Sequence, residues 1–356
     1  MRAAPAERGY YRYLPDRQMR DDLWRHLDIL AADEAISLTD HLVSAMIAGR
    51  MSARELLARL EALAASPHWP ALVPQIDHLH RWRVLLPPDS ATAHALSGFL
   101  RRLYGLALSR ARRPDRNPVY PAAFRREARY RLAAAWIVDG GIDAPDARIV
   151  ELLDPGTEKP ELAAHGRWEG GEIPSFAWTL DLAALRRDPA RALPPIAERL
   201  RRDASPDVRR GALMALAHSG LEPAVDALKA YALSPEADGR DVVMILELLS
   251  RDPARARDHW RWVNEWHGRL AERLNVFTRP ALIRVAAGLC DRTAADRLAA
   301  TVSRWGEQLA GRSVVVHQTA SRIRACAAER KMLMSALARA FGNDRTSVRP
   351  GGAGDR

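Results

Sequence analysis

Histidine is the residue type in this sequence that comes nearest to the pattern of a metal site. His78 and His80 are separated by one residue, and His94 follows on the next predicted helix. A helical zinc site of the hydrolytic type uses H-E-x-x-H, which places two imidazoles on one helix face beside a Glu that activates water. The sequence contains no H-E-x-x-H. Because the two His of an H-x-H pair point to different sides of a helix, we predict no metal ligands in this chain and interpret the three His as surface or helix-end residues.

Nucleophilic chemistry has equally little support. Cys290 and Cys326 are the only cysteines, and each lies among Ile, Leu and Ala at core spacing. We predict two buried structural thiols, no disulfide framework and a reducing, cytoplasmic location. A hydrolytic site of unfamiliar arrangement around Cys290 or His317 is the enzymatic alternative. The sequence has no G-x-S-x-G, P-loop or G-x-G-x-x-G motif.

Aromatic and basic residues supply the remaining candidates for ligand contact. Trp260, Trp262 and Trp266 lie close together, and we predict that they pack between stacked helices. The Arg-rich run 101–116 includes a Tyr, as surfaces that bind nucleic acid do. The same run fits a helix end, where cations favour the negative end of the dipole, and we prefer that interpretation.

The overall charge is basic, at +10. Only three of the 54 Lys and Arg residues are Lys, whereas a nucleic-acid interface usually mixes the two types, so we predict a solvated basic surface and disfavour nucleic acid as the partner. No run of apolar residues is long enough to span a membrane, and the N-terminus lacks the apolar stretch of a secretory signal.

Helical periodicity dominates the elements that would position these residues. Amphipathic helices recur in pairs, in units of about 30–45 residues joined by Pro, Asp or Gly. Such pairs cannot bury their apolar faces alone, so we predict an all-α fold, an irregular α-solenoid of stacked antiparallel helix pairs of the HEAT or armadillo type. Locally, Ser52 and Glu55 form a capping box, and Gly49 is the predicted stop of the preceding helix.

Three segments interrupt or flank this pattern. We predict that residues 1–18, which include G-Y-Y-R-Y at Gly9–Tyr13, form a short extended segment and that the helical-repeat domain covers 19–345. Residues 154–175 are rich in Gly, Pro and charge, which predicts a long surface loop. We predict that residues 346–356 form a disordered tail.

Several stretches together resemble the C-terminal helical domain of the zinc aminopeptidase N family, which includes the endoplasmic-reticulum aminopeptidases. Gly9–Tyr13 resembles the G-Y-Y-R-V strand that ends the family's small β-sandwich, just before the helical domain. The resembling helical stretches are Ser37–Leu63, Gly239–Leu270 (with its W-x-W-V-x-x-W run), Pro280–Trp305 and Ala320–Ala338. The likeness thins between Leu86 and Arg202.

The resemblance implies a non-catalytic lid that closes a substrate chamber and contacts peptide through a basic concave face. It implies that zinc belongs to an absent catalytic half, and that the chain is a fragment, one half of a split enzyme or a free-standing relative. A peptide or that catalytic half would be its partner, and an uncovered apolar face would favour a homo-oligomer. The alternative is a free-standing scaffold that binds a protein or nucleic acid. Candidate contacts to a peptide carboxylate are Arg101, Arg102, Arg125, Arg126 and Arg284.

Overall fold

A computed structural model of the chain describes residues 16–113, 118–140, 177–202, 205–305 and 312–342. All regular elements in these ranges are helices, and none of the described residues forms a β-strand. The predicted all-α helical-repeat fold is confirmed. The predicted extended segment at Gly9–Tyr13, the predicted loop at 154–175 and the predicted tail lie outside the described residues.

The described part of the chain contains α-helices and short 3-10 segments. The α-helices are α1 (Arg17–Arg25), α2 (Ala32–Ile47), α3 (Ala53–Ala65), α4 (Ile76–Leu85), α5 (Ala91–Ala111), α6 (Ala122–Gly140), α7 (Ala177–Arg187), α8 (Pro189–Arg202), α9 (Pro206–His218), α10 (Glu222–Leu233), α11 (Gly239–Ser250), α12 (Ala256–Glu272), α13 (Ala281–Arg284), α14 (Arg292–Ser303) and α15 (Arg312–Ala340). The 3-10 segments are Leu27–Ile29, Trp69–Gln75 and Val285–Leu289.

Local capping signals set the helix ends where the sequence places them. The Ser52 hydroxyl accepts a hydrogen bond from the Glu55 amide at 3.1 Å, which caps α3. Gly49 follows the end of α2 with φ +70°, a left-handed conformation that glycine adopts without a side-chain penalty. The predicted stop at Gly49 and the Ser52 half of the predicted capping box are confirmed, and they lie on either side of the turn between α2 and α3.

The buried side chains form one large N-terminal core and two further clusters. The N-terminal core is built from α1–α7 and includes the fully buried Trp69, Trp82 and Tyr104. A second cluster joins α7–α13, and a smaller third cluster joins α13–α15. Such division is expected of a repeat array, in which each unit buries its apolar face against its neighbours.

The long final helix departs from simple linear stacking. α15 packs against α14, and it also contacts α3, α4 and α5 near the start of the chain. Its residues Leu333 and Leu337 are fully buried within the N-terminal core. The order of helix contacts is therefore circular, because α3, α5, α6, α7, α9, α11, α13 and α15 each touch the next and α15 returns to α3.

A close backbone approach occurs at Gly288, in the 3-10 segment beneath α11. A Cβ atom there would lie 2.7 Å from the Ser250 carbonyl oxygen and 3.3 Å from the Ala256 Cβ. We expect Gly288→Ala to lower the free energy of unfolding by about 1–3 kcal/mol, since the backbone has to shift to admit the methyl group. The measurement is urea denaturation followed by circular dichroism.

Gly268, in the exposed middle of α12, is the matched control for that substitution. A Cβ atom at this position would meet nothing within 4 Å. Gly268→Ala should therefore raise the free energy of unfolding by up to about 1 kcal/mol through helix propensity. Equal stability of the two variants would contradict the close approach at Gly288.

Candidate functional site

A cleft of about 850 Å³ lies between α9 and α11 and reaches the loop after α12. We call it the arginine groove. Its cationic lining consists of Arg209, Arg210, Arg240, Arg251 and Arg273, and its apolar lining includes Met214, Val243, Met244 and Leu248. The volume falls in the range of sites that bind small ligands or short peptide segments.

The local sequence explains how α9 and α11 come to line this cleft. α9 begins with Pro206, whose fixed φ suits a first helical position. α11 begins after Asp238, whose carboxylate accepts hydrogen bonds from the Arg240 and Asp241 amides, both at 2.8 Å. At Gly239 a Cβ atom would lie 2.7 Å from the Arg273 carbonyl oxygen, so the absence of a side chain lets α11 start directly against the end of α12.

Two of the acidic residues in the arginine groove are committed to internal contacts. The buried Asp241 accepts a hydrogen bond from the Tyr231 hydroxyl at 2.8 Å, and Arg209 lies 3.3 Å from the same carboxylate. Burial and this hydrogen bond raise the pKa of Tyr231, which therefore remains a neutral donor. Arg209 also lies 3.6 Å from Asp238. Because Asp238 and Asp241 already pair with Arg209 and Tyr231, they neutralise the other arginines of the groove only weakly.

Three arginines of the arginine groove keep their charge available. Arg210, Arg240 and Arg251 are exposed, and none has a carboxylate within ion-pair distance among the described residues. Glu247 is the one further acidic residue in the lining. An excess of cations beside half-exposed Met and Val side chains is suited to a ligand that carries both negative charge and apolar groups.

An exposed aromatic residue stands next to the arginine groove. Phe277 is 86% exposed, and its loop neighbours Asn275 and Thr278 line the groove. The Asn275 side chain accepts hydrogen bonds from the Phe277 amide at 3.0 Å and the Thr278 amide at 3.1 Å. These bonds hold the loop in a defined turn, which presents the phenyl ring to solvent beside the groove.

The structure distributes the predicted carboxylate-binding arginines over several surfaces. The Arg101 Nε donates to the Gly140 carbonyl at 2.7 Å, and Arg102 donates to the Gly98 carbonyl at 3.3 Å. Arg125 lies fifteen residues before Gly140 on the same helix, which is about 22 Å along the axis.

Arg126 is the exposed neighbour of Arg125 on α6, and Arg284 is exposed on α13. Of the five predicted arginines, none lines the arginine groove. Their contact with a peptide carboxylate stays a prediction. The fold instead brings Arg209, Arg210, Arg240, Arg251 and Arg273 together around an apolar floor. Their positions in the sequence do not reveal that they share one cleft.

A buried charge network that the sequence analysis missed joins α4 to α6. The Asp139 side chain is 1% exposed, the His80 Nδ1 lies 2.7 Å from it, and the Arg83 Nε donates to it at 2.9 Å. Burial alone would raise the pKa of Asp139, but the hydrogen bonds and charges of His80 and Arg83 hold it below its usual value. His80 is therefore a partly exposed histidine whose ring contacts a buried carboxylate, a contact that the interpretation of it as a surface or helix-end residue did not include.

His218 extends this network to α9. Its ring centroid lies 5.8 Å from that of His80 and 5.1 Å from that of Trp178. Burial lowers the pKa of His218 to about 4, because the imidazolium would lose its hydration. No group of three or more His, Cys, Asp or Glu among the described residues could hold a metal ion. The network joins helices of the first two hydrophobic clusters.

Cys290 and Cys326 are buried as predicted, but the prediction of two thiols without a disulfide is wrong, because the two residues are joined by a disulfide. The Cα atoms are 4.9 Å apart, although 36 residues separate them in sequence. Cys290 ends the Val285–Leu289 segment with φ +46°, and that turn brings it against α15. With its sulfur bonded, Cys290 offers no thiolate, and the hydrolytic alternative that depends on it loses its nucleophile.

The aromatic residues singled out by sequence serve in packing. Trp262 is 9% exposed, and Trp260 lies 5.5 Å from Trp305 between ring centroids. Arg269 lies over the Trp266 ring at 5.4 Å. Tyr104, within the Arg-rich run, is fully buried and so cannot stack on a nucleic-acid base.

No protein-family model matches the chain, and a search of curated proteins gives no match. Among the described helices, none is both long and apolar enough to cross a bilayer. The geometry and charge of the arginine groove are therefore the main guide to function.

Proposed function

We propose that this chain is a non-catalytic helical-repeat domain that binds an anionic peptide in the arginine groove. The observation that carries the proposal is the set of three exposed cations, Arg210, Arg240 and Arg251, beside an apolar floor in one cleft. A peptide with acidic side chains or a free C-terminal carboxylate, together with apolar side chains, matches both features.

The chemistry of the lining favours a carboxylate ligand. The planar guanidinium of Arg donates two parallel hydrogen bonds to a carboxylate, which gives direction as well as attraction. The floor residues Met214 and Met244 are half-exposed, and the flexible thioether side chain adapts to apolar groups of different shape. Phe277 would add an aromatic contact at the edge of the groove, where a bound peptide can cover it.

The lid of a zinc aminopeptidase is the setting that the sequence resemblance suggests for such a domain. In that setting the groove would hold the C-terminal part of a peptide whose N-terminus lies in a catalytic half, and the zinc would belong to that half. A scaffold that binds an acidic segment of another protein would use the same groove. Nucleic acid fits less well, because none of the described residues that line the groove is aromatic and the single ring of Phe277 beside it does not make a stacking platform for successive bases.

The proposal is tested by fluorescence anisotropy with a short labelled peptide that contains Glu and Leu and has a free C-terminus. We expect the Arg240→Gln, Arg251→Gln double variant to raise the Kd of the peptide by at least about tenfold. The loss of one hydrogen bond to a charged group costs about 1.5–3 kcal/mol of binding free energy, and about 1.4 kcal/mol corresponds to a factor of ten in Kd. Phe277→Ala should weaken binding without loss of stability, because the ring is 86% exposed.

Arg54→Gln is the matched control, since Arg54 is exposed on α3 and does not line the groove. It should leave the affinity unchanged. A peptide whose C-terminus is amidated separates recognition of the terminal carboxylate from recognition of acidic side chains. Equal affinity of the wild type and the double variant would refute the groove as the peptide site, and cleavage of aminoacyl reporters with added zinc would refute the non-catalytic assignment.

A further inference from the structure

A second cleft, of about 900 Å³, lies on a different part of the molecule. We call it the disulfide cleft, because Cys290 forms part of its wall. It is an open cleft lined by Pro87 and Pro88 after α4, by the start of α12, by the turn before α14, and by α15. It shares no lining residue with the arginine groove.

Cations from three helices converge on the disulfide cleft. They are Arg257 and Arg261 from α12, Arg292 from α14, and Arg330 and Lys331 from α15. One of only three lysines in the chain is among them. Like charges on separate helices repel one another, so the helices that carry them have to be held in place. In this cleft a disulfide and hydrogen bonds join α15 to its neighbours.

The two acidic residues of this cleft only partly balance its charge. The Asp291 carboxylate caps α14 by accepting from the Thr293 amide at 3.0 Å, and it lies 3.7 Å from Arg257. Asp258 lies 3.2 Å from Arg261, one turn along the same helix. Five cations against two carboxylates leave a net positive lining.

The wall of the disulfide cleft is fixed at several points. The Cys290–Cys326 disulfide ties the turn before α14 to α15. The Arg330 Nε donates to the Leu85 carbonyl at 2.7 Å, and the neighbouring Glu329 accepts two hydrogen bonds from the Arg81 Nε at 2.9 and 3.0 Å. These links fix the relative positions of the segments that carry the cations, so the segments need not rearrange when a ligand binds.

We infer that the disulfide cleft is a binding site for a compact polyphosphate, meaning two or more linked phosphates, either free or as part of a nucleotide. Arg forks and a Lys point charge are the side chains that recognise phosphate oxygens. The volume exceeds the need of a single phosphate. The uncharged lining is mostly Pro and Ala, which offers little to the apolar side chains of a peptide. The inference does not depend on the proposed peptide binding.

Lysine acetylation read by mass spectrometry tests this inference directly. Lys331 is exposed in the cleft, whereas Lys229 lies 6.0 Å over the Trp262 ring and serves as an internal reference. On the full chain, inorganic tripolyphosphate at about ten times its Kd should slow acetylation of Lys331 by about tenfold and leave Lys229 unchanged. Orthophosphate should require a much higher concentration for the same protection.

Charge variants decide whether the protection belongs to this cleft. Arg257→Gln combined with Arg292→Gln should abolish protection of Lys331, while Arg240→Gln combined with Arg251→Gln, in the arginine groove, should leave it intact. If a nucleoside triphosphate protects Lys331 better than tripolyphosphate does, the ligand is a nucleotide. If the two compounds protect Lys331 equally well, the phosphate chain alone is recognised. Equal protection of both lysines, protection that persists in the cleft variant, or no protection at all would overturn the inference.

Discussion

Replacing both Cys290 and Cys326 by Ala is expected to lower the free energy of unfolding by about 4 kcal/mol. The two residues are 36 positions apart, and a covalent link over a loop of that length removes much of the conformational freedom of the unfolded chain. The disulfide holds α15 beside the turn before α14, so the contacts of α15 are the ones that we expect its loss to weaken. Urea denaturation of the wild type and the variant, both without reductant, measures the difference.

A reductant separates the effect of the bond from the effect of two altered side chains. Dithiothreitol reduces the protein disulfide to two thiols while its own two thiols are oxidised to a cyclic disulfide. It should lower the stability of the wild type close to that of the variant and leave the variant unchanged. Titration of two free thiols in the unreduced, unfolded wild type would show that the bond is absent.

Lowering the pH from 7 to 4 is expected to destabilise the protein by up to about 3 kcal/mol through His218. The pKa of His218 is about 4 in the folded protein, against an ordinary value of 6.5. Between these values the unfolded chain binds more protons than the folded protein, so stability falls as the pH falls. Asp139 acts in the same direction, because its lowered pKa gives stability that is lost when the carboxylate is protonated.

The pH dependence can be assigned to His218 by comparing two substitutions. His218→Gln keeps a polar side chain on α9 but removes the titrating group, so its stability should change less between pH 7 and 4. His317→Gln, at an exposed position on α15, should follow the wild type. Both are measured by urea denaturation at each pH. Parallel pH profiles for wild type and His218→Gln would contradict the role of this buried imidazole.

The parts of the fold that sequence predicts well are those decided by near neighbours in the chain. The cap at Ser52 and the stop at Gly49 depend on contacts within a few residues, and the helical periodicity reports which face each helix buries. Stacking of such helices then follows, because their apolar faces have to be covered. The all-α repeat fold could therefore be predicted without any relative.

The parts that sequence did not predict depend on pairs that are distant in the chain. His80 and Asp139 are 59 residues apart, and the two cysteines are 36 apart. Nothing near either member of these pairs indicates its partner. The arginine groove has the same origin, because Arg210 and Arg251 come to one cleft only when α9 packs against α11. In a chain this rich in Arg, the choice among them requires the packed structure.

The return of α15 to α3 changes how the array can deform. In an open solenoid each repeat rotates slightly on the next, and the sum of these rotations makes the whole protein elastic. Here α15 contacts α3 at one end and α13 at the other, so it limits changes in curvature of the helices between them. The spacing of α9 and α11 is among the distances held in this way. We therefore expect the width of the arginine groove to change little if a ligand binds there.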